Sequence, residues 1–146
     1  MLTCDSILYG NKLWGVIMNE ERMKKEDLLE LIKSLKISRD EFTVVSSGSL
    51  VLRGIYKDAG DLDIAVTKKG LEELSKNYNL TKKENGWYIV NDKVECVPDD
   101  MQNRREKVGD YFVQEINDYL KYLKSSNREK DKKRIPLVEE YIKSLK

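Results

Sequence analysis

Histidine is missing altogether from the 146 residues, and cysteine, proline, phenylalanine and tryptophan occur only twice each. Without an imidazole there is no Ser-His-Asp triad and no Cys-His dyad. The two thiols, Cys4 and Cys96, stand at no metal-ligand spacing, which removes a zinc site as well. Two cysteines in a charged chain with no recognisable signal sequence are expected of a protein kept in a reducing cytoplasm. Long apolar runs are also missing. The opening "MLTCDSILYGNKLWGVIM" is mildly hydrophobic, but Asp5 and Lys12 interrupt it and it has no basic start. It is too short to span a bilayer and is expected to form a strand or a packing arm. Neither charge sign dominates: 27 basic residues meet 26 acidic ones, for a net charge of +1. That balance gives no global electrostatic case for a membrane surface or a long nucleic acid, so any anion site must be local.

What is present is a single domain's worth of periodic segments. No repeat, low-complexity linker or domain boundary interrupts residues 1–146. "EERMKKEDLLELIKSL" from Glu20 sets Leu28, Leu29, Ile32 and Leu35 at helical spacing. "EFTVVSS" from Glu41 is β-branched and short, as a buried strand would be. "GSLVLRGIY" is expected to be a helix whose first turn begins at Gly48-Ser49. "DLDIAVT" alternates, with Leu62 and Ile64 inward and Asp61 and Asp63 outward on a strand from Asp61 to Thr67. A short helix follows in "KKGLEELSKNY". "GWYIV" and "KVECV" are then expected to pair as a hairpin about Asn91-Asp92, with Pro98 ending the second strand. From residue 104 the chain is expected to be a helical extension of a core lying at about 20–100. Its two helices would carry Phe112, Ile116, Tyr119, Leu120 and Leu123 on one face and a kink or restart at Pro136. The fold class is α+β, a small mixed sheet flanked by helices.

Asp61 and Asp63, two apart on a strand, emerge on one face. Two carboxylates so close repel unless a cation lies between them, and oxygen-rich sites suit Mg²⁺ or Mn²⁺. Glu95 joins them if its strand neighbours theirs. Ser47-Gly48-Ser49 offers the complementary half, a close-approach glycine and unpaired N–H groups at a helix start, which hold phosphate well.

On these residues, "SGSLVLRGIYKDAGDLDIAV" followed by "VECV", the chain resembles the nucleotidyltransferase fold of the DNA polymerase β superfamily. The compact bacterial and phage-type members are the nearer likeness. The resemblance covers roughly Phe42 to Pro98. It implies that Gly48 and Ser49 hold the β- and γ-phosphates of a nucleoside triphosphate, ATP among the candidates. It further implies that Asp61 and Asp63 coordinate two Mg²⁺ or Mn²⁺ ions, and that Glu95 binds the catalytic one and helps deprotonate an acceptor hydroxyl. A further similarity at "NREKDKKRI" adds Arg128, Lys130 and Asp131, with Lys130 toward the nucleotide. The sequence departs from the family pattern at Ser47, where a glycine is usual, in the position of Arg53, and in carrying Glu95 where aspartate is commoner.

The implied activity is transfer of an NMP to a hydroxyl acceptor, a small molecule such as an antibiotic, a protein side chain or an RNA end, with release of pyrophosphate. A long nucleic acid is disfavoured by the charge balance. A partner protein or a second copy of the chain would complete the substrate cleft, as in other minimal members. The alternative is a catalytically inactive member of the fold, acting as a binding or interaction module. Single features have plainer readings too. Gly48-Ser49 can be a helix cap, Glu95 a hairpin rim charge paired with Lys93 or a neighbouring lysine, and Arg128 and Lys130 part of a solvated charge run. Trp87 and Tyr88 suit the core better than a base-stacking platform, although one of them can serve both. Cys96, facing away from Glu95, is expected to behave as a small hydrophobe.

Overall fold

The computed structural model describes residues 22–146. The expected strand or packing arm of the opening segment, and Cys4 within it, lie outside those residues. A two-residue strand, β1 (Met23–Lys24), leads into helix α1 (Lys25–Ser34). Asp27 starts that helix by accepting a hydrogen bond from the Lys24 N–H at 3.1 Å, which satisfies one of the donors a helix start leaves over. Leu28, Ile32 and Leu35 are buried and Leu29 is half-buried, so the helical spacing in the sequence does point into the core.

After a single 3-10 turn comes β2 (Phe42–Val45), buried along its whole length, and then helix α2 (Ser46–Leu52). The helix begins at Ser46, two residues before the expected Gly48. Strands β3 (Asp58–Ala59) and β4 (Leu62–Val66) follow, so Asp61 lies in a bend just before the strand expected to contain it. Helix α3 (Lys68–Asn77) is capped by the Thr67 hydroxyl, which accepts from the Gly70 N–H at 3.0 Å. A side chain at Gly70 would stand 2.6 Å from the Glu41 carbonyl oxygen, so this helix reaches its seat only with glycine there. Next come β5 (Thr81–Lys82), β6 (Tyr88–Ile89) and β7 (Val94–Pro98). The last two pair antiparallel, with Tyr88 opposite Cys96 and Ile89 opposite Glu95. The expected hairpin is therefore present, and its second strand ends at Pro98.

The expectation of a wholly helical stretch after residue 104 is corrected. Arg105–Val108 (β8) and Tyr111–Gln114 (β9) form an antiparallel hairpin, and β9 joins β2 in parallel with Val113 beside Val44. Gly109, at φ +64°, makes the tight turn between them. Phe112 is thus a strand residue with Arg105 stacked on its ring, not a member of the helical face. Only then come α4 (Ile116–Ser125) and α5 (Glu129–Ser144). The latter is one helix that runs through Pro136 without the restart the sequence suggests.

Among the described residues the main sheet has seven strands in the order β5-β6-β7-β4-β2-β9-β8, and β1 pairs with β3 in a small separate ribbon. The fold is α+β, with five α-helices among the described residues around a mixed sheet. Strand alternation gives the main sheet two unlike faces. Phe42, Val44, Leu62, Ile64, Val66, Val94 and Cys96 are buried on one side, packed against α1, α2 and α3. Each such aliphatic side chain withdrawn from water stabilises the fold by about 1.5–3 kcal/mol before entropy is counted. Gly48 presses α2 onto this face, where an added side-chain carbon would lie 3.1 Å from Val44 Cγ1. The opposite face carries the alternate residues. A second core, with Leu50, Tyr119, Leu123 and Val138 buried, ties α4 and α5 to α2.

Candidate active site

Register places the acids. Asp63 of β4 lies opposite Glu95 of the parallel strand β7 and opposite Val45 of β2. Since Leu62 and Ile64 face the packed side, Asp63 and Glu95 emerge together on the other side, half-buried. Asp61, two residues earlier and exposed, extends the same row. The Asp63 carboxyl shows the strain of this company. Burial first, then the charges of Asp61 and Glu95, push it up from the usual 3.8 to about 6, while Lys130 and Lys83 pull it part of the way back. A carboxylate raised by neighbours of its own sign is a group that a cation would relieve.

The three acids open into a cavity of about 400 Å³, predominantly polar in its lining. Ser46 and Ser47, where β2 turns into α2, form one wall. Gly48 and Ser49 do not line it. Ser49 is 1% exposed, and its hydroxyl donates to the Ser46 carbonyl at 2.7 Å. The residues expected to face the phosphates are therefore used for packing and for closing the first turn, and the two half-buried serines before them line the cavity instead. Ser46 reaches that position at φ +59°, in the left-handed region that a non-glycine residue occupies at a cost. With seven residues, α2 also has too few aligned peptide dipoles to build a large positive end. Anion binding here must come chiefly from side chains.

Those side chains come from α5 and the residue just before it, and from the antiparallel β5–β6 hairpin at one edge of the sheet, where Thr81 lies opposite Ile89. Arg128, Lys130 and Arg134 line the cavity across from the acids. Arg128 and Arg134 are anchored through Asp131, a carboxylate with no exposure to solvent. Arg128 donates to it from Nε at 2.7 Å and from Nη2 at 3.2 Å, the Ser126 hydroxyl donates at 2.6 Å, and Arg134 Nη1 stands 3.8 Å away. Burial pushes the Asp131 carboxyl up, but these hydrogen bonds and charges outweigh it and hold it below the ordinary range. Arg134 also donates to the Tyr119 hydroxyl at 3.0 Å and lies over the Tyr56 ring. Lys130 takes part in none of the ion pairs among the described residues and projects its charge toward Asp63. The run "NREKDKKRI" thus divides, with Asp131 as a buried organiser and Arg128, Lys130 and Arg134 on the cavity wall.

The hairpin contributes Lys83, Asn85 and Trp87. Trp87 both packs against Val45, Ala65 and Met101 and borders the cavity, so it can offer a flat apolar surface to a ligand. Tyr88, its neighbour on the other face, belongs to the main core. Cys96 is buried there too, where burial raises its thiol to about 11 and keeps it unreactive. Lys83 holds Glu95, with Nζ 3.1 Å from Oε1 and 3.3 Å from Oε2.

The donor set fits a hard divalent cation, because carboxylate oxygens are the ligands Mg²⁺ and Mn²⁺ prefer and the charges of Asp61 and Glu95 add to burial in opposing the ionisation of Asp63. No three histidine, cysteine or carboxylate side chains among the described residues stand close enough together to hold a metal ion, and Glu95 is paired with Lys83. Sequence reasoning missed Ser46, Lys83 and Arg134. Only the register of β6 on β7, which sets the tip of the hairpin beside Glu95, could have pointed to Lys83.

The fold and the cavity together define an α+β domain with a two-signed cleft, acids on the sheet and bases on the last helix. No protein-family model, no curated protein and no solved structure matches the chain. No helix among the described residues is long and apolar enough to cross a membrane.

Proposed function

We propose that this protein is a metal-dependent nucleotidyltransferase, of the polymerase β-like kind its motifs resemble, moving an NMP from a nucleoside triphosphate to a hydroxyl acceptor. The observation that carries the reading is the arrangement of charge across one cavity: Asp61, Asp63 and Glu95 at and beside the β4–β7 pair, and Arg128 just before α5 with Lys130 and Arg134 on it. A cleft with acids alone would attract only cations, and one with bases alone only anions. A metal-bound triphosphate needs both.

In the proposed reaction the acceptor oxygen attacks the α-phosphorus and its proton passes to a carboxylate of the acidic row. The bond from that phosphorus to the α,β-bridging oxygen breaks, and pyrophosphate leaves with the electron pair. Asp61, Asp63 and Glu95 would hold Mg²⁺ or Mn²⁺, which supplies charge neutralisation at the phosphates. Lys130 and Arg134 bind the triphosphate tail, with Asp131 keeping Arg134 and Arg128 turned to the cavity. Ser46 and Ser47 border the phosphates in place of Gly48 and Ser49, and Trp87 offers its ring to the base. The acceptor is a small hydroxyl compound, a protein side chain or an RNA end, and a second copy or partner protein is a candidate for the remaining wall of the cleft.

Pyrophosphate release from each NTP with Mg²⁺, over a panel of such acceptors, tests the proposal. Wild type is expected to release it, and Asp63→Asn to lose at least about a hundredfold in rate, as when a principal electrostatic group is removed from a site. A second reading, a non-catalytic module that binds nucleotide without turnover, is favoured by the Lys83–Glu95 pair, which withholds the third acid. Metal-dependent NTP binding with no pyrophosphate from any acceptor would select it.

A further inference from the structure

Lys83 is held at a fixed place by its backbone. Its N–H donates to the Trp87 carbonyl at 2.7 Å and its carbonyl accepts from Gly86 at 3.1 Å, closing a tight turn at the end of β5 in which Gly86 adopts φ +92°. The turn sits at the tip of the edge hairpin, two strands from β4. From it the side chain reaches Glu95 with its ammonium against both carboxylate oxygens. Glu95 is itself fixed beside Asp63 by the β4–β7 register. The other cavity bases differ in kind. Arg128 and Arg134 are committed to Asp131, and Lys130 approaches from α5. Among the bases lining the cavity, Lys83 alone makes an ion pair with a member of the acidic row.

We propose that Lys83 is a built-in counter-cation of the acidic row, occupying Glu95 until a divalent metal displaces it. The proposal rests on the nucleotidyltransferase reading for the presence of a metal, and adds which residue of the chain opposes its entry. An ammonium carries one charge and donates hydrogen bonds, whereas Mg²⁺ or Mn²⁺ carries two and accepts oxygen ligands directly. The same carboxylate oxygens cannot serve both at full strength. In the absence of metal, Lys83 offsets the repulsion among Asp61, Asp63 and Glu95. When metal enters, the pair must open, and part of the metal's binding free energy is spent on opening it. The two effects of removing Lys83 therefore have opposite signs: the metal-free fold loses stability and the metal binds more tightly. A salt bridge with only a structural role would give the first without the second.

The test uses the full chain and Mn²⁺ alone, with binding followed by electron paramagnetic resonance at pH 7.5 and thermal melting in EDTA as the second readout. Lys83→Met keeps the aliphatic stem and removes the charge, and Lys83→Gln repeats the charge loss with a polar end. Both are expected to melt below wild type in EDTA and to bind Mn²⁺ about three- to tenfold more tightly, the range that a half-buried ion pair plus one repelled charge supports. Lys83→Arg, which can restore the pair, should return the affinity toward wild type. Unchanged or weaker Mn²⁺ binding in both neutral variants, with wild-type binding still abolished by Asp63→Asn, overturns the role of Lys83 and leaves the metal site standing. If no protein binds Mn²⁺ in the millimolar range, Lys83→Met and Lys83→Gln included, the metal reading itself falls and this inference with it.

Discussion

Replacing Asp63 by asparagine should make the metal-free protein more stable, and the size and pH dependence of the gain follow from the site. In the fold the Asp63 carboxyl is raised from 3.8 to about 6 by burial and by Asp61 and Glu95. At 1.36 kcal/mol per pH unit, that interval corresponds to at most about 3 kcal/mol of cost for ionising Asp63 at pH 7. Solvent reaching the half-buried side chain reduces the expected cost to about 1–2 kcal/mol. The sign is fixed by proton binding. Between pH 3.8 and about 6 the folded protein binds this proton more tightly than the unfolded chain does, so wild-type stability falls as pH rises through that window and stays lowered above it. The substituted amide cannot ionise, so the variant lacks this slope. Urea unfolding in EDTA should show Asp63→Asn ahead by about 1–2 kcal/mol at pH 7, or about 3–6 °C in Tm, with the advantage gone below about pH 4. A variant no more stable than wild type at pH 7, or one whose advantage persists at about pH 3.5, would refute the reasoning about charge crowding at β4.

The remaining predictions concern the walls of the same cavity. Asp131→Asn should destabilise by about 3 kcal/mol at pH 7, because it strips the buried partner from Arg128 and Arg134. Because the folded carboxyl lies below its ordinary range, that contribution is present above the unfolded value and lost as pH falls through the folded one, so urea unfolding at decreasing pH should show the difference from wild type shrinking. Ser46→Gly should relieve the left-handed backbone at φ +59° and raise stability by about 0.5–1 kcal/mol in thermal melts. A loss on that substitution would mean that the Ser46 side chain holds the turn.

Much of this fold was legible because its signals are local and apolar. The spacing of Leu28 and Ile32, the β-branched run at Phe42–Val45 and the alternation at Leu62–Ile64 each demand one buried face. The hairpin at β8–β9 escaped because it is an edge pair. Of its eight strand residues only Val113 is buried, so the charges and aromatics show no two-residue alternation, and "YFV" runs on into a helical pattern. Ser46 as the true start of α2 was hidden by the preference for glycine or a capping serine at helix starts, when Gly48 was needed for close packing on Val44 instead. The grouping of Asp63 with Glu95 could be expected from alternation once β7 was assumed to neighbour β4, and the register bears that assumption out. Lys83 could not be foreseen in the same way. Its partner lies twelve residues away across a turn, and only the folded hairpin decides which of several nearby lysines reaches Glu95.

The most direct measurement is a crystal of the protein soaked with Mn²⁺ and a nonhydrolysable ATP analogue, read by anomalous scattering at the manganese edge. The account predicts manganese bound to Asp61 and Asp63, the Glu95 carboxylate released from Lys83 and turned to the metal, and phosphate oxygens bordered by Ser46, Ser47 and Lys130. Manganese absent from the β4–β7 edge while the analogue sits elsewhere, or a cavity that takes up neither, would contradict it.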